Sequence, residues 1–120
     1  PLNILIMENN TVEEGKTIAI ISYITIIGLI IAFVMNNDKK NDFAAFHIRQ
    51  SLGIALIGIV IWVLVSIIYA IVYIPILSWV LQLGVIVLWV LGLVAAVQGE
   101  KKAIPVVGEQ FQQWFKGIGN

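Results

Sequence analysis

Three apolar stretches alternate with short polar intervals along this chain. The first runs from Thr17 to Met35 and is rich in isoleucine, with Phe33 and Val34 near its end. Its length suits a membrane span, which needs roughly 20 apolar residues. The flank before it is acidic (Glu13, Glu14), and Met35-Asn36-Asn37-Asp38 is no small-residue cleavage site, so a signal peptide fits poorly. A polar loop, Asn36 to Asp42, follows, and Asn41 or Asp42 suits the N-cap of a helix opening near Phe43.

Ser51 to Gln98 is one uncharged run of 48 residues. As one helix this run would be about 72 Å long, against a hydrocarbon core of about 30 Å. It must therefore fold in two. Proline lacks an amide donor but suits the first turn of a new helix, which places the break at Tyr73-Ile74-Pro75. Tyr69, Tyr73 and Trp79 flank it, as interfacial aromatics do. After Pro105, residues Val107, Phe111, Trp114, Phe115 and Ile118 fall on one helical face, with Glu109, Gln110, Gln112, Gln113 and Lys116 opposite. This tail reads as a short amphipathic helix on the membrane surface.

The pattern predicts an all-α membrane protein. A polar N-terminal segment covers 1–16. Three transmembrane helices (about 17–35, 51–73 and 75–97) make a membrane domain over 17–104, and the amphipathic interfacial tail covers 105–120. Pro1–Ile6 are set aside as an extension, because Met7-Glu8-Asn9-Asn10 reads as a natural start.

Composition sharpens this. The 120 residues are 60% hydrophobic and 12% charged, against about 45–50% and about 25% for soluble domains. Seven basic and seven acidic residues give no net charge, which removes the basic surface that nucleic-acid binding needs. There is no cysteine and one histidine, so Cys-type zinc sites, thiolate nucleophiles and paired-His metal sites are excluded. No cofactor is expected. Ser51 stands one turn after His47, but nothing in the sequence supplies an oxyanion hole, and no enzyme is expected.

His47-Ile-Arg-Gln50 is the most polar cluster attached to a span. Phe43, His47, Gln50 and Ile54 share one helical face. Three readings stand: interfacial anchoring, with Arg49 reaching headgroup phosphates; His47 and Gln50 turned inward to hydrogen-bond near Gln98 or Glu100; or a ligand or proton role. No predicted span carries an Asp, Glu, Lys, Arg or His, which argues against ion-coupled transport. Gln82 is the one strong hydrogen-bonding side chain well inside a span.

Phe43-Ala-Ala-Phe-His-Ile-Arg-Gln50, two further apolar stretches, Ala96-Val-Gln-Gly-Glu100 and Ile104-Pro105 occur in an order that resembles the Tic-twenty-like family. These are small bacterial membrane proteins of unknown function, related to a chloroplast inner-envelope protein-import component. The resemblance implies His47, Gln50, Gly99, Glu100 and Pro105 as motif positions, a bacterial inner membrane, and a link to protein translocation. Its chloroplast members have four spans, and this chain has room for three.

The expected function is a non-enzymatic accessory or scaffold protein. Its expected partners are the lipid bilayer and other membrane proteins or further copies of itself. The alternative is a small pore-forming oligomer. Lys39, Lys40, Arg49, Lys101, Lys102 and Lys116 would share one side of three spans, against Lys16 on the other. The positive-inside rule then puts the C-terminus in the cytoplasm and the N-terminus outside. A two-span alternative, with Thr17–Met35 lying in the interface, would move the N-terminus inside.

Overall fold

The computed structural model describes residues 2–119; Pro1 and Asn120, the outermost residues of the expected N-terminal segment and tail, lie outside the described residues. Those described form five helices: α1 (Leu2–Ile24), α2 (Ile26–Lys39), α3 (Asp42–Ile71), α4 (Pro75–Val97) and α5 (Gly108–Trp114).

The longest, α3, starts where a side chain can replace a missing backbone acceptor. Asn41 is extended, and its Oδ1 accepts from the Ala44 amide at 2.9 Å. At the far end Tyr69 closes the turn into α4: its hydroxyl donates to the Ile74 carbonyl at 2.7 Å and accepts from the Ser78 amide at 3.2 Å. Pro75 opens α4, where its missing donor costs nothing. Both helices are long and apolar enough to cross a membrane. Large apolar side chains stand exposed along them, including Trp62 (71%), Ile71 (85%) and Trp79 (69%). A surface of this kind is at home in hydrocarbon rather than water.

The first apolar stretch departs from expectation. It is not one helix over 17–35, so three straight spans are not what the chain forms. The helix breaks at Thr25, which is extended (φ −155°, ψ 177°). The end of α1 and α2 then lie antiparallel. Thr11 and Gly15 stand beside Asn41 at the open end, and Ile21 stands beside Gly28 at the turn. Breaking a helix frees backbone donors and carbonyls, and each costs several kcal/mol in apolar surroundings unless partnered. Here partners are supplied. Thr25 Oγ1 accepts from the Gly28 amide at 3.1 Å. On the other side of the break, Ser51 Oγ of α3 donates to the Ser22 carbonyl, and Trp89 Nε1 of α4 donates to the Tyr23 carbonyl. The turn is therefore stable only against the two long helices.

The open end of this hairpin is tied as firmly. Asn36, fully buried near the end of α2, donates through Nδ2 to the Asn41 and Gly119 carbonyls and accepts from the Asn41 amide. Asn41 Nδ2 in turn reaches the Thr11 carbonyl on α1 at 2.8 Å. Gly15 leaves room for that side chain, because a Cβ there would overlap Asn41.

Packing follows from this arrangement. One apolar cluster joins Ala19, Tyr23, Phe43, Ile54, Ala96, Ile104 and Phe111; a second joins Ile18, Leu29, Ala32, Ala44 and Ile48. Both lie where α1, α2, α5 and the C-terminal segment surround the start of α3. Past Ile54 only Val65 of α3 is buried, and the buried positions of α4 are Gly92, Ala95 and Ala96 near its end. The molecule is thus a broad head on a two-helix stem, 59 Å long and 24 × 22 Å across.

Candidate functional site: a buried polar network in the head

The inward-facing side chains at the start of α3 meet backbone that has no helical partner. Residues 100–104 run without secondary structure between α4 and the tail, so their carbonyls and amides must be satisfied from elsewhere. His47 and Gln50, both with no exposed surface, provide for them. His47 Nε2 lies 2.8 Å from the Glu100 carbonyl. The Ile104 amide donates to Gln50 Oε1 at 2.8 Å, and Gln50 Nε2 donates to the Lys102 carbonyl at 3.3 Å.

Tyr23 completes the network from α1. Gln50 Nε2 also donates to its hydroxyl at 3.0 Å, and that hydroxyl lies 2.6 Å from His47 Nδ1. The proton positions follow from the partners. The Ile104 amide and the Lys102 carbonyl fix which end of the Gln50 amide is which. The Glu100 carbonyl can only accept, so His47 carries its proton on Nε2. The Tyr23 hydroxyl receives from Gln50 and donates its own proton to Nδ1, and the imidazole is neutral. Phe43, Phe46 and Tyr23 present ring edges around it at centroid distances of 4.8, 5.1 and 5.5 Å. Gly92 of α4 admits the Tyr23 ring, which a Cβ would strike.

The tail closes over the outer face of α3. Arg49 donates through Nε to the Ile118 carbonyl and through Nη2 to the Lys116 carbonyl, each at 3.0 Å. Gln112 Nε2 donates to the Phe46 carbonyl at 2.8 Å. Phe111 is buried over Gly53, Phe115 is half-buried, and Trp114 is exposed (68%). Of the residues singled out in the sequence, His47, Gln50 and Glu100 thus come together through hydrogen bonds. Gly99 takes the left-handed conformation (φ 75°) that ends α4, and Pro105 begins the turn before α5. Tyr23, Asn36, Ser22 and Trp89 were missed, and Ser51, weighed only as a nucleophile beside His47, instead donates to the Ser22 carbonyl. The available signal was the run of hydroxyl-bearing residues Ser22, Tyr23 and Thr25 in the middle of an otherwise apolar stretch.

Gly53 gives this docking a test. A leucine there overlaps the Phe111 ring, and overpacking of this kind costs about 1–3 kcal/mol. Gly53→Leu is expected to release the tail and raise tryptic cleavage after Lys116 at least about tenfold. Gly58→Leu, on the same helix with open space around it, is expected to leave cleavage unchanged.

The hydrogen bonds of this network run between its own side chains and to the chain's backbone. Among the described residues no buried side-chain nitrogen or oxygen lacks a hydrogen-bond partner, and no three of His, Cys, Asp and Glu stand together as metal ligands would.

A family model described as the magnetosome magnetite crystal formation protein family matches residues 14–111. Two archaeal membrane proteins of the UPF0132 group from Methanocaldococcus jannaschii are also similar. One is 30% identical over 66% of this chain and 55% of its own length; the other is 36% identical over 64% of this chain and 67% of its own. The chain therefore spans about half the length of the first relative. No solved structure matches. These findings overturn the resemblance to the Tic-twenty-like family: the matched region holds His47, Gln50, Gly99, Glu100 and Pro105 and belongs to a different family. The translocation link and the bacterial setting rested on that resemblance, and the similar proteins, both archaeal, lend them no support.

Proposed function

The chain belongs to the magnetosome magnetite crystal formation protein family, and we propose from that premise that it is a non-enzymatic membrane scaffold. In this reading α3 and α4 cross the bilayer, the α1–α2 hairpin enters one leaflet and returns, and the head holds every charged residue on one membrane face. Its partners are lipid and other membrane proteins or further copies of the chain. The family's description concerns crystal formation. What passes to this chain is a role in arranging the membrane where such a process takes place, with its own polar groups committed to the fold.

The observation that carries the reading is the closed network around Tyr23, His47 and Gln50. An active site presents polar groups to a substrate; these groups are directed at the chain's own backbone. The depth of the hairpin supports the topology. Ile26, Ile27, Ile30 and Val34 on the outer face of α2 are 58–69% exposed, and the run from Ile26 to Asn36 is about 15 Å long, half a hydrocarbon core.

One observation favours the pore alternative. A groove of about 410 Å³ between the stem helices is lined partly by Ser66, Tyr69, Ser78 and Gln82. Three of these four side chains hydrogen-bond within the turn joining α3 and α4 or along α4, and Ser66 bonds back to the Trp62 carbonyl. Phosphatidylcholine vesicles loaded with a self-quenching dye and with potassium decide between the readings. The scaffold retains both at protein densities sufficient for oligomers. Release that scales with a power of protein density greater than one would establish the pore instead.

A further inference from the structure

We propose that the chain is a single-leaflet wedge that favours curved bilayer with its charged head on the convex face. The inference rests on the topology given under the proposed function and goes beyond it, because it assigns the shape itself an activity.

The argument is one of cross-section. In the head half, α3 from Asp42 to Ile54 is enclosed by α1, α2, α4 and the tail, and Phe43, Ala44, Ala45, His47, Ile48 and Gln50 are all buried. In the stem half, α3 and α4 pack only on each other. Ile59, Val60, Trp62, Leu64 and Ile67 are 50–71% exposed, as are Ile76, Trp79, Val80 and Leu83 on the partner helix. A helix with its side chains is about 10–12 Å across, so the two extra helical segments add roughly 200 Å² to one leaflet and nothing to the other. A bilayer containing such a body relieves the mismatch by bending away from the broad side, as it does for amphipathic helices inserted in one leaflet.

Three features make the wedge stiff, so that the membrane yields rather than the protein. The hairpin turn is held by Ser51 and Trp89 from both stem helices. Just before the turn, the Tyr23 side chain is held by His47 and Gln50. Its open end is held by Asn36 and Asn41, and Asn36 also donates to the Gly119 carbonyl. The narrow end offers no counterweight: the loop from Val72 to Ile74 is three residues long and uncharged.

The sign of the preference can be read from orientation. The chain lacks cysteine, so Gly117→Cys and Asn10→Cys, both at exposed head positions, report through an impermeant maleimide. Full-length protein and phosphatidylcholine are co-dissolved, and one film yields both small (about 30 nm) and large (about 400 nm) vesicles. Near parity of outward and inward heads is expected in large vesicles, and roughly a threefold outward excess in small ones. Equal ratios at both sizes, with the two cysteines agreeing, overturn the wedge while leaving the topology intact. Opposite accessibility of the two cysteines overturns the topology, and the wedge with it.

Discussion

Replacing Gln50 by leucine is expected to destabilise the folded protein by about 3 kcal/mol, roughly a hundredfold in the folding equilibrium. Leucine fills nearly the same volume, so packing changes little. What changes is hydrogen bonding. The buried Ile104 amide loses its acceptor, and the Tyr23 hydroxyl loses the donor that completes its pair of bonds. An orphaned buried donor costs about 1–3 kcal/mol, which exceeds the net worth of an ordinary hydrogen bond. Tyr23→Phe removes a different member, leaving His47 Nδ1 without its donor. If the three side chains act as one network, the double variant falls short of the sum of the two singles by about 1 kcal/mol. Denaturant titration in mixed micelles measures all three. A loss under about 0.5 kcal/mol for Gln50→Leu would mean that water replaces the side chain freely, and that the head is not the closed unit described.

The two stem helices were legible because their causes are local. An uncharged run too long for one span, a proline at the midpoint, and an asparagine before the first periodic residue fix α3 and α4 to within a few residues. Asn41 does cap α3, and Pro75 does open α4. Three readings of His47 and Gln50 were open, because a helical face is readable from spacing and the neighbour across it is not. Only the course of residues 100–104 shows that His47 and Gln50 meet backbone rather than headgroups.

The hairpin was not legible for a physical reason. Thr17 to Met35 has the length and hydropathy of a span, and nothing in its periodicity separates a helix that continues from one that turns. The decision is made by partners far along the chain. Ser51 and Trp89 satisfy the carbonyls that the break releases, and without them a continuous helix would be the cheaper solution. Thr25 followed at the third position by Gly28 is a capping arrangement, yet in an apolar stretch it is indistinguishable from a threonine inside a span. The tail shows the same limit. Its apolar face is correctly periodic, but Phe111 meets Gly53 of its own chain, a fit that requires the glycine to be on the facing helix.

The central claim is that the first apolar stretch turns back at Thr25, which places the N-terminal segment, the first loop and the tail on one side of the membrane. Single cysteines at Asn10, Asn37, Val72 and Gly117, all exposed, and an impermeant maleimide applied to intact cells test it most directly. In the proposed topology the positive-inside rule predicts a cytoplasmic head, because all of the lysines lie there. The expected result is labelling at Val72→Cys before lysis and at the other three only after it. If Asn10→Cys instead reacts together with Val72→Cys while Asn37→Cys and Gly117→Cys stay protected, the first stretch crosses the bilayer and the hairpin account is contradicted.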